Sequence, residues 1–187
     1  MTSGRREVVI ADYDPAWPAR FDAERTRLLA VAPTAITAIE HVGSTSVPGL
    51  GAKPIIDVLV TLHRFFDAAE IAAICAPGHE YRGIDQDIQR QYFSKRTPQA
   101  YHVHCYLPGN SEAERLLLFR DYLRTHPETA KQYEALKRDL ASKHRHEREA
   151  YQDAKTAFVR AVEAIAPNDQ RLITKNQELR TALKTEN

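Results

Sequence analysis

A glycine–serine turn followed by an aspartate in an otherwise apolar strand suits phosphate chemistry. This chain carries Gly43-Ser44-Thr45-Ser46, a Gly- and Pro-punctuated loop over residues 43–53, then Asp57 within the β-branched, apolar run 54–62. Gly43 lets backbone approach a ligand closely, and the loop amides and the Ser44 hydroxyl can donate to phosphate oxygens. A carboxylate in such a strand is costly unless it is paired or holds a cation. A hard divalent ion such as Mg²⁺ would justify Asp57 and bridge it to phosphates. An ordinary turn and a strand salt bridge would also account for these residues. The loop is not a Walker A loop, because Pro54 follows Lys53. It is not a dinucleotide fingerprint either, since no helix opens from Gly49-Leu50-Gly51.

Other side chains with chemical potential lie further along. His102 and His104 alternate on a predicted strand and therefore share one face. With Asp57 they would form a two-histidine, one-carboxylate metal site of the kind that suits Mn²⁺, Fe²⁺ or Zn²⁺. They could instead contact phosphates, supply a general base for an attacking hydroxyl, or be ordinary strand polars. Of Glu40 and His41, which alternate ahead of the loop, one should face the ligand; Glu40 could equally pair with a nearby Arg or Lys. Arg90, Lys95, Arg96, Arg120 and Lys155 are cations able to neutralise phosphates, each also ordinary on a surface. The Gln91-Tyr92-Phe93-Ser94 run between the first two suits a strand lining a cleft. Lys143-His144-Arg145-His146-Glu147-Arg148 reads as a solvated joint between helices. Cys105 should be a packed thiol on the face opposite His104. Trp17, Phe21, Tyr133, Tyr151 and Phe158 fall at helical spacing, as core residues do.

These residues need a scaffold, and the apolar pattern outlines one. Residues 8–11 read as an edge strand or lead-in. A helix is expected over 15–32, with Asp14 as its cap and Pro15 in the first turn. Strands are expected at 34–42, 54–62, 91–95 and 101–107, and a helix at 65–75. The strand at 54–62 is apolar on both faces except at Asp57, so it is central. A turn around Thr97-Pro98 joins the last two strands. Helices follow at 112–125, 127–143 and 148–166 in a region without glycine. This order predicts an α+β fold: a small mixed β-sheet flanked by helices, with a helical C-terminal part. Residues 1–166 form one domain, with the sheet core to about residue 107 and the helical part at 111–166. Residues 167–187 are a polar tail in which Leu172, Leu179 and Leu183 keep helical spacing, a possible surface for a homo-oligomer.

Composition sets the outer limits. With 187 residues, 26 Lys+Arg against 25 Asp+Glu and a net charge of +1, the chain lacks the basic excess of a nucleic-acid coat, so nucleic acid is an unexpected partner. Two cysteines are too few for a disulfide scaffold. No run approaches the roughly 18 apolar residues of a membrane span, and no targeting segment stands out. A cytoplasmic protein acting on a small molecule, without membrane partners, is the expectation.

The Gly43-Ser44 loop and the Asp57 strand resemble the nucleotidyltransferase superfamily of the DNA polymerase β type. More narrowly, the chain resembles the GrpB family of small bacterial proteins, also found fused to dephospho-CoA kinase. The matching segments are Tyr13-Asp14-Pro15-Ala16-Trp17, the run from Glu40 to Leu50, Lys53-Pro54-Ile55-Ile56-Asp57, His102-Val103-His104, Leu118-Phe119-Arg120-Asp121-Tyr122-Leu123 and Tyr151-Gln152-Asp153-Ala154-Lys155. The resemblance implies a nucleotidyltransferase-type sheet and names no substrate; the Gly-Ser loop followed by a central-strand Asp motivates the leading expectation, an enzyme acting on a nucleoside triphosphate. The nucleotide would be held by Gly43, Ser44, Thr45, Ser46, Lys53 and Lys155. A divalent metal, Mg²⁺ or Mn²⁺, would sit at Asp57 and His104, and Asp57, His102 and His104 would be catalytic. One departure stands out. The superfamily's second carboxylate would fall two residues after Asp57, where this chain has Leu59. A non-catalytic nucleotide- or metabolite-binding module and a metal-dependent phosphohydrolase built on Asp57, His102 and His104 are the competing readings.

Overall fold

The computed structural model describes residues 7–185, apart from the side chains of Arg148 and of residues 168–185. Tandem apolar runs pair into a five-stranded sheet of order β1-β2-β5-β4-β3. Its strands are β1 (Ile36–Val42), β2 (Ile55–Leu62), β3 (Glu80–Asp85), β4 (Arg90–Lys95) and β5 (Ala100–Tyr106). β2 pairs antiparallel with β1 and parallel with β5, which makes the sheet mixed. β2 is interior, as its two-sided apolar pattern requires.

Helices α1 (Trp17–Val31) and α2 (Ala68–Cys75) cover one face. There Trp17, Phe21, Leu28 and Ile74 bury against Ile56, Val58, Val60, Phe93, Val103 and Cys105. Cys105 is thus packed opposite His104, and burial pushes its thiol far above the ordinary value. Helices α3 (Ser111–Thr125), α4 (Pro127–Lys143) and α5 (Arg148–Thr185) lie on the other side. α3 closes over Val42, Leu59 and Tyr106 through Ala113. Leu123, Ala130 and Tyr133 bury Val47 and Leu50 of the loop that follows β1. No helix among the described residues is long and apolar enough to cross a membrane.

Several boundaries differ from the sequence pattern. β3 has no apolar alternation to announce it: Glu80, Tyr81 and Arg82 are exposed, and Gly83 sits at φ +90° beside a register shift. Charge and a bulge are what an edge strand uses against unwanted pairing. α1 starts at Trp17 after the uncapped Ala16, so Pro18 and not Pro15 occupies its first turn. Asp14 caps only the preceding turn, accepting the Ala16 amide at 2.9 Å. Residues 8–11 make a single bridge, Ala11 to Ala52, and serve as a lead-in. α2 begins three residues late, at a capping box between Asp67 and Glu70. α5 continues through Pro167 to Thr185, where the proline was expected to end it. With no glycine beyond residue 111, no second breaker reinforces the one donor that Pro167 removes. The side chains of Leu172, Leu179 and Leu183, and any homo-oligomer through them, lie outside the described residues.

Candidate active site

Parallel register places Asp57 of β2 beside His102 of β5, and antiparallel register places Ser94 of β4 beside His102. Because alternate residues share a face, Asp57, His102, His104, Tyr92 and Ser94 all project toward the α3–α5 side. His102 Nδ1 lies 3.1 Å from Asp57 Oδ1, and His104 Nε2 lies 3.5 Å from the same oxygen. Burial alone would raise the Asp57 carboxyl. The hydrogen bonds and charges of His102 and His104 outweigh it and hold the group far below the usual carboxylate range. Asp57 is therefore an anion, and His102 donates to it through Nδ1–H; in a neutral imidazole Nε2 is then the acceptor.

The turn beside Asp57 depends on glycine. Gly43 sits at φ +70° and ψ −176°, a region essentially reserved for glycine. A Cβ there would fall inside the Asp57 carboxylate, so turn and acid touch without a side chain between them. Ser44, Thr45 and Ser46 then form one 3₁₀ turn. Of the three hydroxyls expected at phosphates, two are committed internally. Thr45 Oγ1 donates to the Ile55 carbonyl at 3.2 Å, and Ser46 Oγ to the Gly43 carbonyl at 2.6 Å. Ser44 stands in the cleft, hydrogen-bonded to the Tyr133 phenol.

Of the two residues ahead of the turn, Glu40 shares the α3–α5 side of the sheet with Asp57 and His41 faces the other side, and neither lines the cleft. His41 is buried behind the turn, stacked on Phe21 with ring centroids 4.8 Å apart. Its Nε2 is 3.0 Å from Thr45 Oγ1. That hydroxyl spends its proton on Ile55, so the imidazole is the donor. Burial pushes His41 down to about 4, keeping it neutral near pH 7. Glu40 instead pairs with Arg120 at 2.7 Å. Arg120 is buried, also binds Asp121, and donates to the His41 carbonyl at 3.1 Å. It ties α3 to β1 and is not a phosphate ligand. Arg124 ties α3 to the turn through two hydrogen bonds to the Ser46 carbonyl.

Helices α4 and α5 bring Lys137 and Lys155 to the cleft lined by Asp57, where Lys53 of the loop before β2 joins them, a space of about 620 Å³ including its mouth. Lys53 and Lys155 lie over the Tyr151 ring, 5.0 and 4.6 Å from its centroid. Lys137 lies 4.8 Å from the Tyr133 centroid and donates to the Gly51 carbonyl. Burial, then the charges of Lys155, Arg138 and Lys53, push Lys137 down to about 7 against the pull of Glu134. Lys53 and Lys155 were legible from sequence. Lys137, Tyr133, Tyr151 and Gln152 were not singled out as cleft residues. The signal was present: Lys137 follows Tyr133 by four residues on the apolar stripe of α4, where a charge has no packing reason to stand.

Comparison with known proteins identifies the family and the fold. The GrpB protein family profile matches residues 7–164. The chain belongs to the GrpB family. The UPF0157 protein YqkA of Bacillus subtilis is 39% identical over 161 residues, 85% of this chain but 47% of YqkA. The chain thus spans about half the length of that relative. The crystal structure of conserved protein GrpB from Enterococcus faecalis superposes with a TM-score of 0.76 at 34% identity, covering 87% of this chain and 99% of that one. The Cid1 poly(U) polymerase bound to Mg 3'-dATP superposes with a TM-score of 0.50 at 15% identity, over 71% of this chain and 43% of that one, a likeness of fold. In this GrpB protein the sheet is of nucleotidyltransferase type, and one position departs from that pattern. Leu59 is 1% exposed and packs with Val42, Tyr106 and Ala113 beneath α3. A carboxylate there would be buried among hydrocarbon.

Among the described residues, Asp57, His102 and His104 are the group whose ligand atoms, all within 4.8 Å of one another, fit a metal ion. A mixed carboxylate–imidazole set suits Mn²⁺ better than Mg²⁺, which prefers oxygen throughout.

Proposed function

We propose that this GrpB protein is a metal-dependent nucleotidyltransferase that moves a nucleotidyl group from a nucleoside triphosphate to a small hydroxyl acceptor in the cytoplasm. The observation that supports it is one cleft lined both by an ionised Asp57 at the Gly43-Ser44 turn and by Lys53, Lys137 and Lys155. Lysines and a metal-binding carboxylate in one cleft suit a polyphosphate, whose charge the lysines and the ion share.

Asp57 and His104 would hold the ion, which supplies charge neutralisation at the phosphates when bound. The lysines carry the β- and γ-phosphates, and Ser44 donates to the group being transferred. His102 touches both this cleft and its neighbour. Its Nε2, left open by the Nδ1–H bond to Asp57, takes the acceptor's proton. The acceptor oxygen then bonds to the α-phosphorus, the bond from that phosphorus to the β-bridging oxygen breaks, and pyrophosphate leaves. Positioning supplies the rate, since no covalent intermediate is needed.

Leu59 favours a second reading, a nucleotide-binding module that keeps the fold without turnover. Thermal unfolding with ATP, GTP, CTP and UTP in MnCl₂ tests binding. At a hundredfold excess over Kd, one triphosphate should raise Tm by about 5 °C. Asp57→Asn should lose the manganese-dependent part and Lys155→Ala most of the rest. Absence of a shift with all four overturns the proposal. A shift without pyrophosphate release in the presence of hydroxyl acceptors favours the second reading.

A further inference from the structure

The site face of the sheet does not end at His102. A polar row continues across three strands: His102 on β5, Ser94 beside it on β4, and Arg82 of β3, whose Nε donates to Ser94 Oγ at 2.9 Å. Above this row lies a second cleft, about 1100 Å³ including its mouth. It shares Lys53, Ile55 and His102 with the first cleft. Arg82, Arg96 and Tyr92 also line it, whereas the Lys95 side chain alternates to the opposite face of β4, beside Gly78. Of the acidic groups near it, Glu7, at the rim, pairs with Arg145, while Glu80 pairs with Arg82, so a ligand phosphate must share or replace that pairing.

Two cationic clefts therefore meet at one histidine. In a transfer reaction the acceptor must reach the α-phosphorus from the side away from the departing pyrophosphate. The triphosphate reading fills the Lys137 and Lys155 side, which leaves the Arg82 side for the acceptor. A neutral acceptor would need no cations there. From His102 to the Arg82 strand is two strand spacings, about 10 Å. That is the length of a small molecule with a hydroxyl at one end and an anion at the other. The chain's balanced charge and the local confinement of these two arginines do not suit a polynucleotide track.

We infer that the second cleft binds the acceptor, and that the acceptor is a small phosphorylated hydroxyl compound, its phosphate held by Arg82 and Arg96 and its hydroxyl at His102. This rests on the nucleotidyltransferase reading and adds the chemical class of its second substrate.

The test uses the whole chain with ribose 5-phosphate and glycerol 3-phosphate, against ribose, glycerol and a uridine pentanucleotide. Tm is read with and without a saturating non-hydrolysable triphosphate analogue. At least one of the two phosphates should raise Tm where its unphosphorylated partner does not, and should do so on top of the analogue, since the clefts fill together. Arg82→Ala/Arg96→Ala should weaken that ligand about tenfold or more, the share of one charge-assisted contact. Both arginines are exposed, so the unliganded Tm of the variant should hold and report that it folds. The inference is overturned by no shift with either phosphate, by a shift the double variant keeps, by displacement on adding the analogue, or by a response to the pentanucleotide alone. The triphosphate shift itself depends on Lys155 and Asp57, so the two readings can fail separately.

Discussion

Lys137 is a base held where its charge is unwelcome, and pH reports the conflict. It is 2% exposed and pushed down to about 7 from an ordinary 10.5. Between those values the unfolded chain keeps a proton that the folded chain has released, so folding stability rises with pH. His41, pushed down to about 4, finishes its own contribution by its ordinary value of 6.5. Cys105 acts in the opposite sense, but only above its ordinary value of 9.0, where the unfolded thiol ionises and the buried one does not. The window from pH 7 to 8.5 therefore isolates Lys137. Urea unfolding should show stability rising by about 1–2 kcal/mol across it, and Lys137→Met should flatten the slope. An unchanged slope in that variant would show that Lys137 is not the titrating group. Gly43 makes a second residue-scale test. Gly43→Ala combines a glycine-only backbone with a collision at Asp57 and should cost about 3 kcal/mol. Gly49 has φ +77° and open space around it, so Gly49→Ala should cost about 1 kcal/mol. Equal urea midpoints for the two variants would refute the close approach of turn and carboxylate.

Among the elements, α3 matters to the site through its arginines. Arg120 joins α3 to β1 through Glu40, which is half exposed, so its loss strands no fully buried acid. Arg120→Met should lower stability by about 1–2 kcal/mol while triphosphate Kd stays within about twofold. A tenfold loss of affinity would return Arg120 to the cleft. From sequence alone Arg120 and Lys155 look alike, as helix cations in family-like segments. Only the direction of their helices separates them. β2 was legible because it is apolar on both faces but for Asp57, and β5 because apolar residues alternate with its histidines. β3 was not, because an edge strand needs no such pattern. The length of α5 escaped for a related reason: a proline weakens a helix by one donor, and only the rest of the helix decides whether that ends it.

For the whole molecule, the two faces of the sheet divide the work. Residues of odd and even parity on β2 and β5 either bury under α1 and α2 or reach the clefts, so Asp57, His102 and His104 meet as the alternation predicts. Long-range convergence is what sequence could not show. Lys137 and Tyr133 come from α4, Lys155 and Tyr151 from α5, and nothing in their spacing says that both helices close on the Gly43 turn. The direct measurement of the central claim is an anomalous difference map from crystals grown with Mn²⁺ and a non-hydrolysable nucleoside triphosphate. The account predicts a manganese peak on Asp57 and His104 with phosphate density against Lys53 and Lys155. A manganese peak away from Asp57, or triphosphate density lying along Arg82 and Arg96 instead, would contradict it.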